Sequence, residues 1–374
     1  MPICEDKEIF HTLISTKKRE VYLDYAASTP LCQESVDAMC YAMKISTGNP
    51  SSSHFAGRKS CVLIEQARRN IADLLHCPPQ HLIFTSSGAE SIDLGISSIC
   101  KTYHPNAIMT SVSEHASVLR TIENAAESFS IPVIYVNKRI SDDSFLLELN
   151  QQLEKHPSSL LCLAHGNHVS GEMLPVKEVG KLCKKYHSLF FCNMAQTIGK
   201  YDIHLEELPI DFAAASAHKF GAAKGVGFLY YKQNINPLFQ IENQGYNFFS
   251  ESENIYGICS MEAALQANLK DLKRIQDAIS SIKSYCIKEL EENFPTVQLA
   301  ENNKKTGLYH LFSFHFPEMN MENMFMRLDI AGIAVSLHFD KQSNQPLLRL
   351  SFRRKTTKEE IDYFINTLSE ILSP

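Results

Sequence analysis

The ten residues DFAAASAHKF, at positions 211–220, run from small apolar side chains straight into a histidine and a lysine. The run reads as a short buried strand ending at Ser216, with Lys219 just past its end. One reading is a surface lysine in a loop. The other is a partly desolvated amine, the condition under which lysine becomes a nucleophile able to form a Schiff base. The flanking sequence decides between them.

Six similar runs accompany it: HLIFTSS (81–87), NAIMTSV (106–112), PVIYV (132–136), SLLCLAH (159–165), SLFFC (188–192) and GVGFLYY (225–231). Helical patterns such as ASVLRTIENAAESF and VKEVGKLCKKYH lie between several of them. Strands alternating with helices predict an α/β fold with a mostly parallel seven-stranded sheet covered on both faces. One long helical segment, 261–294, then leads to a second strand-bearing block with LYHLFSFHF, GIAVSLHF and PLLRLSF, closed by the helix TKEEIDYFINTLSEIL. The organisation expected is an N-terminal extension (1–14), a large α/β domain (15–260), and a linking helix with a small α+β domain (261–374).

Composition excludes several functions. The 374 residues carry a net charge of −6, which gives no electrostatic footprint for nucleic acid or an anionic membrane. The 11 cysteines are scattered, without a CxxC pair or zinc-ligand spacing, so no metal site and no disulfide framework are expected. The N-terminus MPICEDKEIF is charged within seven residues and no run of about 18 apolar residues occurs, so a cytoplasmic protein is expected.

In an open α/β sheet, ligands bind beyond the carboxyl ends of the strands. The polar residues there are Ser86 to Glu90, His115, His165 to His168, Asn193 to Gln196, and Ser216 to Lys219. With them the sequence resembles the class V aminotransferases, and within these the cysteine desulfurases. VYLDYAASTP, GNPSSSHFAGRKS, FTSSGAES, SEHASV, GNHVSGEMLPV, NMAQTIGK, SAHKF and RLSFRRKTTKEEID follow one another in that family's order across nearly the whole chain.

The resemblance implies fold type I, pyridoxal 5'-phosphate (PLP) as cofactor, and Lys219 as the residue that forms the internal aldimine. Ser87, Gly88 and Ala89, opening a helix, would offer backbone N–H groups to the cofactor phosphate. Ser216 and His218 would assist, with Ser87 supplying the hydroxyl that the family carries where Ala89 stands. His115 would stack on the ring and move protons. Asn167 and Gln196 would bond the ring's 3'-oxygen, with Asn167 also near the substrate. Arg354 would receive the substrate's α-carboxylate, a guanidinium fork suiting a carboxylate. Ser252 would reach the phosphate of the neighbouring subunit in a homodimer.

Three departures bear on chemistry. Asn193 stands where the family has an aspartate that keeps the pyridine nitrogen protonated, and an amide brings no charge to hold that proton. The connection LHFDKQSNQ (337–345) contains no cysteine, and none follows Cys286, so the thiol that accepts sulfur in a desulfurase is absent. Phe249 replaces an arginine near Ser252. Two functions remain open. One is a PLP-dependent C–S lyase acting by α,β-elimination on a cysteine-like amino acid. The other is a catalytically impaired homologue that serves as a PLP-holding or partner-binding subunit. A sulfur-acceptor protein is a possible partner of either.

Overall fold

The computed structural model describes residues 19–136, 144–232, 253–300 and 307–373. In chain order the first part comprises β1 (Val21–Tyr22), α1 (Gln33–Ile45), α2 (Phe55–Leu74), β2 (Leu82–Thr85), α3 (Gly88–Tyr103), β3 (Ile108–Thr110) and α4 (Ala116–Phe129). It continues with β4 (Val133–Tyr135), α5 (Phe145–Lys155), β5 (Leu160–Ala164), α6 (Val176–Lys185), β6 (Leu189–Asn193), β7 (Phe212–Ser216), β8 (Gly227–Tyr231) and α7 (Ile255–Lys270). The second part holds α8 (Leu272–Asn293), β9 (Gln298–Leu299), β10 (Leu311–His315), α9 (Met321–Ile330), β11 (Ile333–Ala334), β12 (Ser336–Asp340), β13 (Gln345–Ser351) and α10 (Lys358–Leu372).

All seven apolar runs are strands of one sheet in the order β2-β8-β7-β6-β5-β3-β4. Only β8 runs against its neighbours, so the expected mostly parallel seven-stranded sheet is present. Strands β5 and β7 are buried at every position, which is what a sheet covered on both faces requires. The carboxyl ends of β2, β3, β5, β6 and β7 therefore share one edge, where the polar turns lie.

A second core gathers Phe312, Phe314, Phe352 and Phe364 over the antiparallel sheet β12-β13-β10-β9. Three expectations change here. The segment 261–294 is two helices, broken at Asp271, where φ is −112° and ψ is 21°. Met261, Ala264 and Leu265 of α7 lie in the first core, whereas Cys286 and Leu290 of α8 lie in the second. The apolar stripe must change partner between them, and aspartate is a poor helix-interior residue and a natural terminus. Next, strand β1 pairs in parallel with β11, and Val21 with the following Leu23 enters the second core, although their place in the chain put them with the large unit. Finally, the connection 337–345 is itself largely paired strand. It is most of a hairpin, with β12 and β13 paired antiparallel from Ser336↔Arg349 to Asp340↔Gln345.

Helix α10 starts with a full capping box: Thr357 Oγ1 accepts from the Glu360 N–H, and a Glu360 carboxylate oxygen accepts from the Thr357 N–H. Its stripe of Ile361, Phe364, Ile365 and Leu368 closes the second core.

Candidate active site

Past the end of β7, the Lys219 amine donates 2.8 Å hydrogen bonds to the Ala26 and Ala27 carbonyls of the segment that follows β1. Burial, and secondarily the nearby Arg349 charge, bring its pKa down to about 8. A lysine depressed in this way holds much more free amine near neutrality than an exposed one. It is not a solvated surface lysine.

Lys219 lines a cavity of about 330 Å³ together with Ser87, Gly88, Ala89, His115, Asn193, Gln196, Ser216 and His218. Four strand ends thus deliver nine of the expected residues to one place. The turn into α3 sits close to β7 and β8 because two glycines permit it. A Cβ on Gly88 would lie 2.9 Å from Ser216 Cβ, and one on Gly227 would lie 2.6 Å from the Ala215 carbonyl. The amides opening α3 belong to its first turn and have no intrahelical acceptor. Ser87 Oγ caps the helix by accepting from the Glu90 N–H, which leaves its own proton for another acceptor. His218 is held neutral, its pKa brought to about 4 by burial and then by Lys219, Lys224 and Lys200.

His115 caps α4. The Ser117 N–H donates to its Nδ1 at 3.1 Å, so Nδ1 is the bare nitrogen and Nε2 carries the proton. Burial, then Lys219 and Arg349, lower its pKa and keep the ring neutral. Asn193 ends β6 and is buried; its Oδ1 accepts from the Ala195 N–H at 3.2 Å, so the amide has N–H donors left for the cavity. Gln196 donates to the Ala26 carbonyl (3.1 Å), and its Oε1 accepts from Lys200 Nζ (3.2 Å).

Asn167 does not line this cavity. Its Oδ1 accepts from the Val169 and Ser170 N–H groups and its Nδ2 donates to the Ser113 carbonyl, so the amide is consumed in shaping the loop. The wall position belongs to its neighbour His168. Arg354 is also elsewhere: 45% exposed, it pairs with Asp271 at 3.3 Å at the rim of a larger cavity that Lys219 borders as well. The arginine whose charge reaches Lys219, His115 and His168 is Arg349, 2% exposed. Its guanidinium bonds Asp24 (2.7 Å), Ser336 (3.0 Å) and the His168 carbonyl (2.8 Å). An arginine amid the leucines of PLLRLSF was the signal in the sequence, since a charge buried in a strand needs partners. Ser252 and Phe249 lie outside the described residues.

The class-V aminotransferase family model matches residues 21–364. The chain belongs to that family. It is similar to the cysteine desulfurase IscS of Dictyoglomus turgidum, with 31% identity over 95% of either chain. It is similar to the selenocysteine lyase of Homo sapiens, with 27% identity over 96% of this chain and 93% of the other. Among solved structures, a NifS-like protein superposes with a TM-score of 0.86 at 27% identity, covering 95% of this chain and 99% of that one. This is therefore a cysteine desulfurase-like protein of a PLP-dependent family. The residues fit that cofactor: a desolvated amine, an anion-binding helix start with a free hydroxyl, and a neutral imidazole surround one cavity.

Proposed function

We propose that the protein is a C–S lyase that eliminates a sulfur substituent from the β-carbon of a cysteine-like amino acid. The observation that carries this reading is Asn193, with its oxygen occupied by the Ala195 N–H and only donors left for the cavity. Bound in the cavity, PLP would supply an aldehyde for the Lys219 amine and a ring that draws electrons from the substrate's α-carbon. Ser87, Gly88, Ala89, Ser216 and His218 would hold its phosphate, and Gln196 its 3'-oxygen.

Lys219, an amine with a pKa of about 8, is suited to take the α-proton. His115 offers a protonated Nε2 beside it. Arg349 contributes a buried positive field that favours the substrate's carboxylate side. Asn193 gives the ring nitrogen no counter-charge, and an N–H donor matches an unprotonated nitrogen. Such a site favours a reaction whose electrons leave with the β-substituent over one that must store them, such as transamination.

A sulfur-accepting thiol is not part of this reading. Cys192, at the end of β6, is fully buried, and burial pushes its thiol far above the usual range. A cytosolic homodimer belongs to the proposal. It is supported by the habit of cysteine desulfurases to pair and by the free thiols of every described cysteine.

The test is Asn193→Asp. An opposite charge within a few ångströms moves a pKa by about 1–3 units, or roughly 1.4–4 kcal/mol, in favour of the protonated ring nitrogen. Single-turnover racemisation or transamination of alanine should speed up by up to that amount, and elimination from a β-substituted alanine should change less. Equal changes in both rates would remove the argument from Asn193.

A further inference from the structure

A second cavity, of about 180 Å³, shares the His168 wall of the first. The rings of His115, His168 and His338 stand edge to face in series, with centroids 5.0 and 5.7 Å apart, so His168 divides the two spaces. The outer wall is the β12–β13 hairpin, from His338 to Gln342.

Two glutamates line this second cavity, Glu114 and Glu172, only 6% and 7% exposed. Each uses one carboxylate oxygen: Glu114 accepts from the Ala164 N–H (2.6 Å) and Glu172 from the Ser170 hydroxyl (2.8 Å). The other oxygen of each is buried without a partner, and so is His338 Nε2. Buried polar atoms are normally satisfied, so these three lack partners where they sit; the lining's own cation, Lys341, is exposed on the hairpin and bonds none of them. Burial pushes the Glu114 carboxyl up to about 7, against the lowering effect of the Ala164 and His115 N–H groups. A metal ion does not fit: among the described residues, the group with converging ligand atoms is His76, Asp202 and His204, none of which lines this cavity.

We propose that this second cavity receives the substrate's β-substituent and selects one ending in an ammonium group. The inference rests on the lyase reading and deepens it, by naming the substrate class as cysteine S-conjugates with a cationic tail. Glu114 and Glu172 supply the acceptors, and His168 separates the tail from the reacting carbon. A pocket built to hydrogen-bond a substrate group rejects an analogue lacking it, because its own polar groups are then left unpaired.

Three amino acids without a leaving group test it by calorimetry on the PLP-loaded protein: L-lysine, L-norleucine and L-2-aminoadipate. Lysine places a methylene where S-(2-aminoethyl)-L-cysteine has sulfur. It should bind at least about ten-fold more tightly than the other two. Glu172→Gln and Glu114→Gln should each shrink that advantage while leaving norleucine binding unchanged. Norleucine also reports whether a variant is folded, and the wild-type comparison needs no variant. Lysine binding no tighter than norleucine, or an advantage that survives both substitutions, would overturn the proposal. Turnover separates it from the reading beneath. A lysine preference without thiol release from S-(2-aminoethyl)-L-cysteine would keep the subsite and remove the lyase. Equal release from that compound and S-propyl-L-cysteine, without a lysine preference, would do the reverse.

Discussion

Lys219→Ala should lower turnover by about 10²–10⁴-fold through loss of proton transfer alone, and further through loss of the covalent anchor. The site has one amine so placed, held by the Ala26 and Ala27 carbonyls beside the turn that opens α3. Borohydride reduction of the PLP-loaded wild type should leave a pyridoxyl group on Lys219, and the variant should lose the cofactor on dialysis. The substitution also removes two hydrogen bonds that tie the segment after β1 to the large sheet. Circular dichroism and melting must therefore accompany the rate measurement. Lys200 is the competitor, because its amine is buried and bonded to Gln196 and His310. Trapping on Lys200, or retention of a tenth of the wild-type rate in a folded Lys219→Ala protein, would transfer the role.

The second large effect is expected at Arg349. Arg349→Met would leave Asp24, whose side chain is 17% exposed, with the Ser336 hydroxyl and no cation. Breaking a buried pair from one side costs about 3–5 kcal/mol, and partial exposure of Asp24 favours the lower half of that range. The loss should appear in urea unfolding, and Asp24→Asn in the same chain should recover part of it. Arg354→Met should change stability by no more than about 0.5 kcal/mol, since its ion pair with Asp271 is exposed on both sides. A loss at Arg354 as large as that at Arg349 would contradict the placement of the two arginines.

Those two arginines show where the sequence stops being legible. All seven strands of the large sheet could be read, because runs such as LLCLA are apolar throughout and fall between amphipathic helices. The residues that directly follow those strands were legible for the same reason, since topology alone gathers strand ends on one edge. Side-chain direction within a turn was not. Asn167 and His168 are adjacent, and only the hydrogen bonds of Asn167 to Val169 and Ser170 decide that histidine becomes the wall. Arg349 and Arg354 are five residues apart, but Arg349 lies inside β13, paired with Ser313 and Ser336, whereas Arg354 falls past the strand's end and is exposed. The break at Asp271 and the return of β1 to β11 depend on which core each segment meets, a long-range matter that local periodicity does not encode.

One product analysis tests the central claim, that Asn193 and the thiol-free hairpin make this site eliminate and not transfer sulfur. The PLP-loaded protein is given an S-substituted L-cysteine and the carbon and sulfur products are identified together. Elimination breaks the bond between sulfur and the β-carbon, sulfur leaves with the electron pair and takes a proton, and hydrolysis of the remainder yields pyruvate and ammonium. The expected result is pyruvate and free thiol in equal amounts, with every cysteine of the chain unmodified by mass spectrometry. Alanine as the carbon product, with the RS group held on a cysteine of the chain as a mixed disulfide, would contradict it.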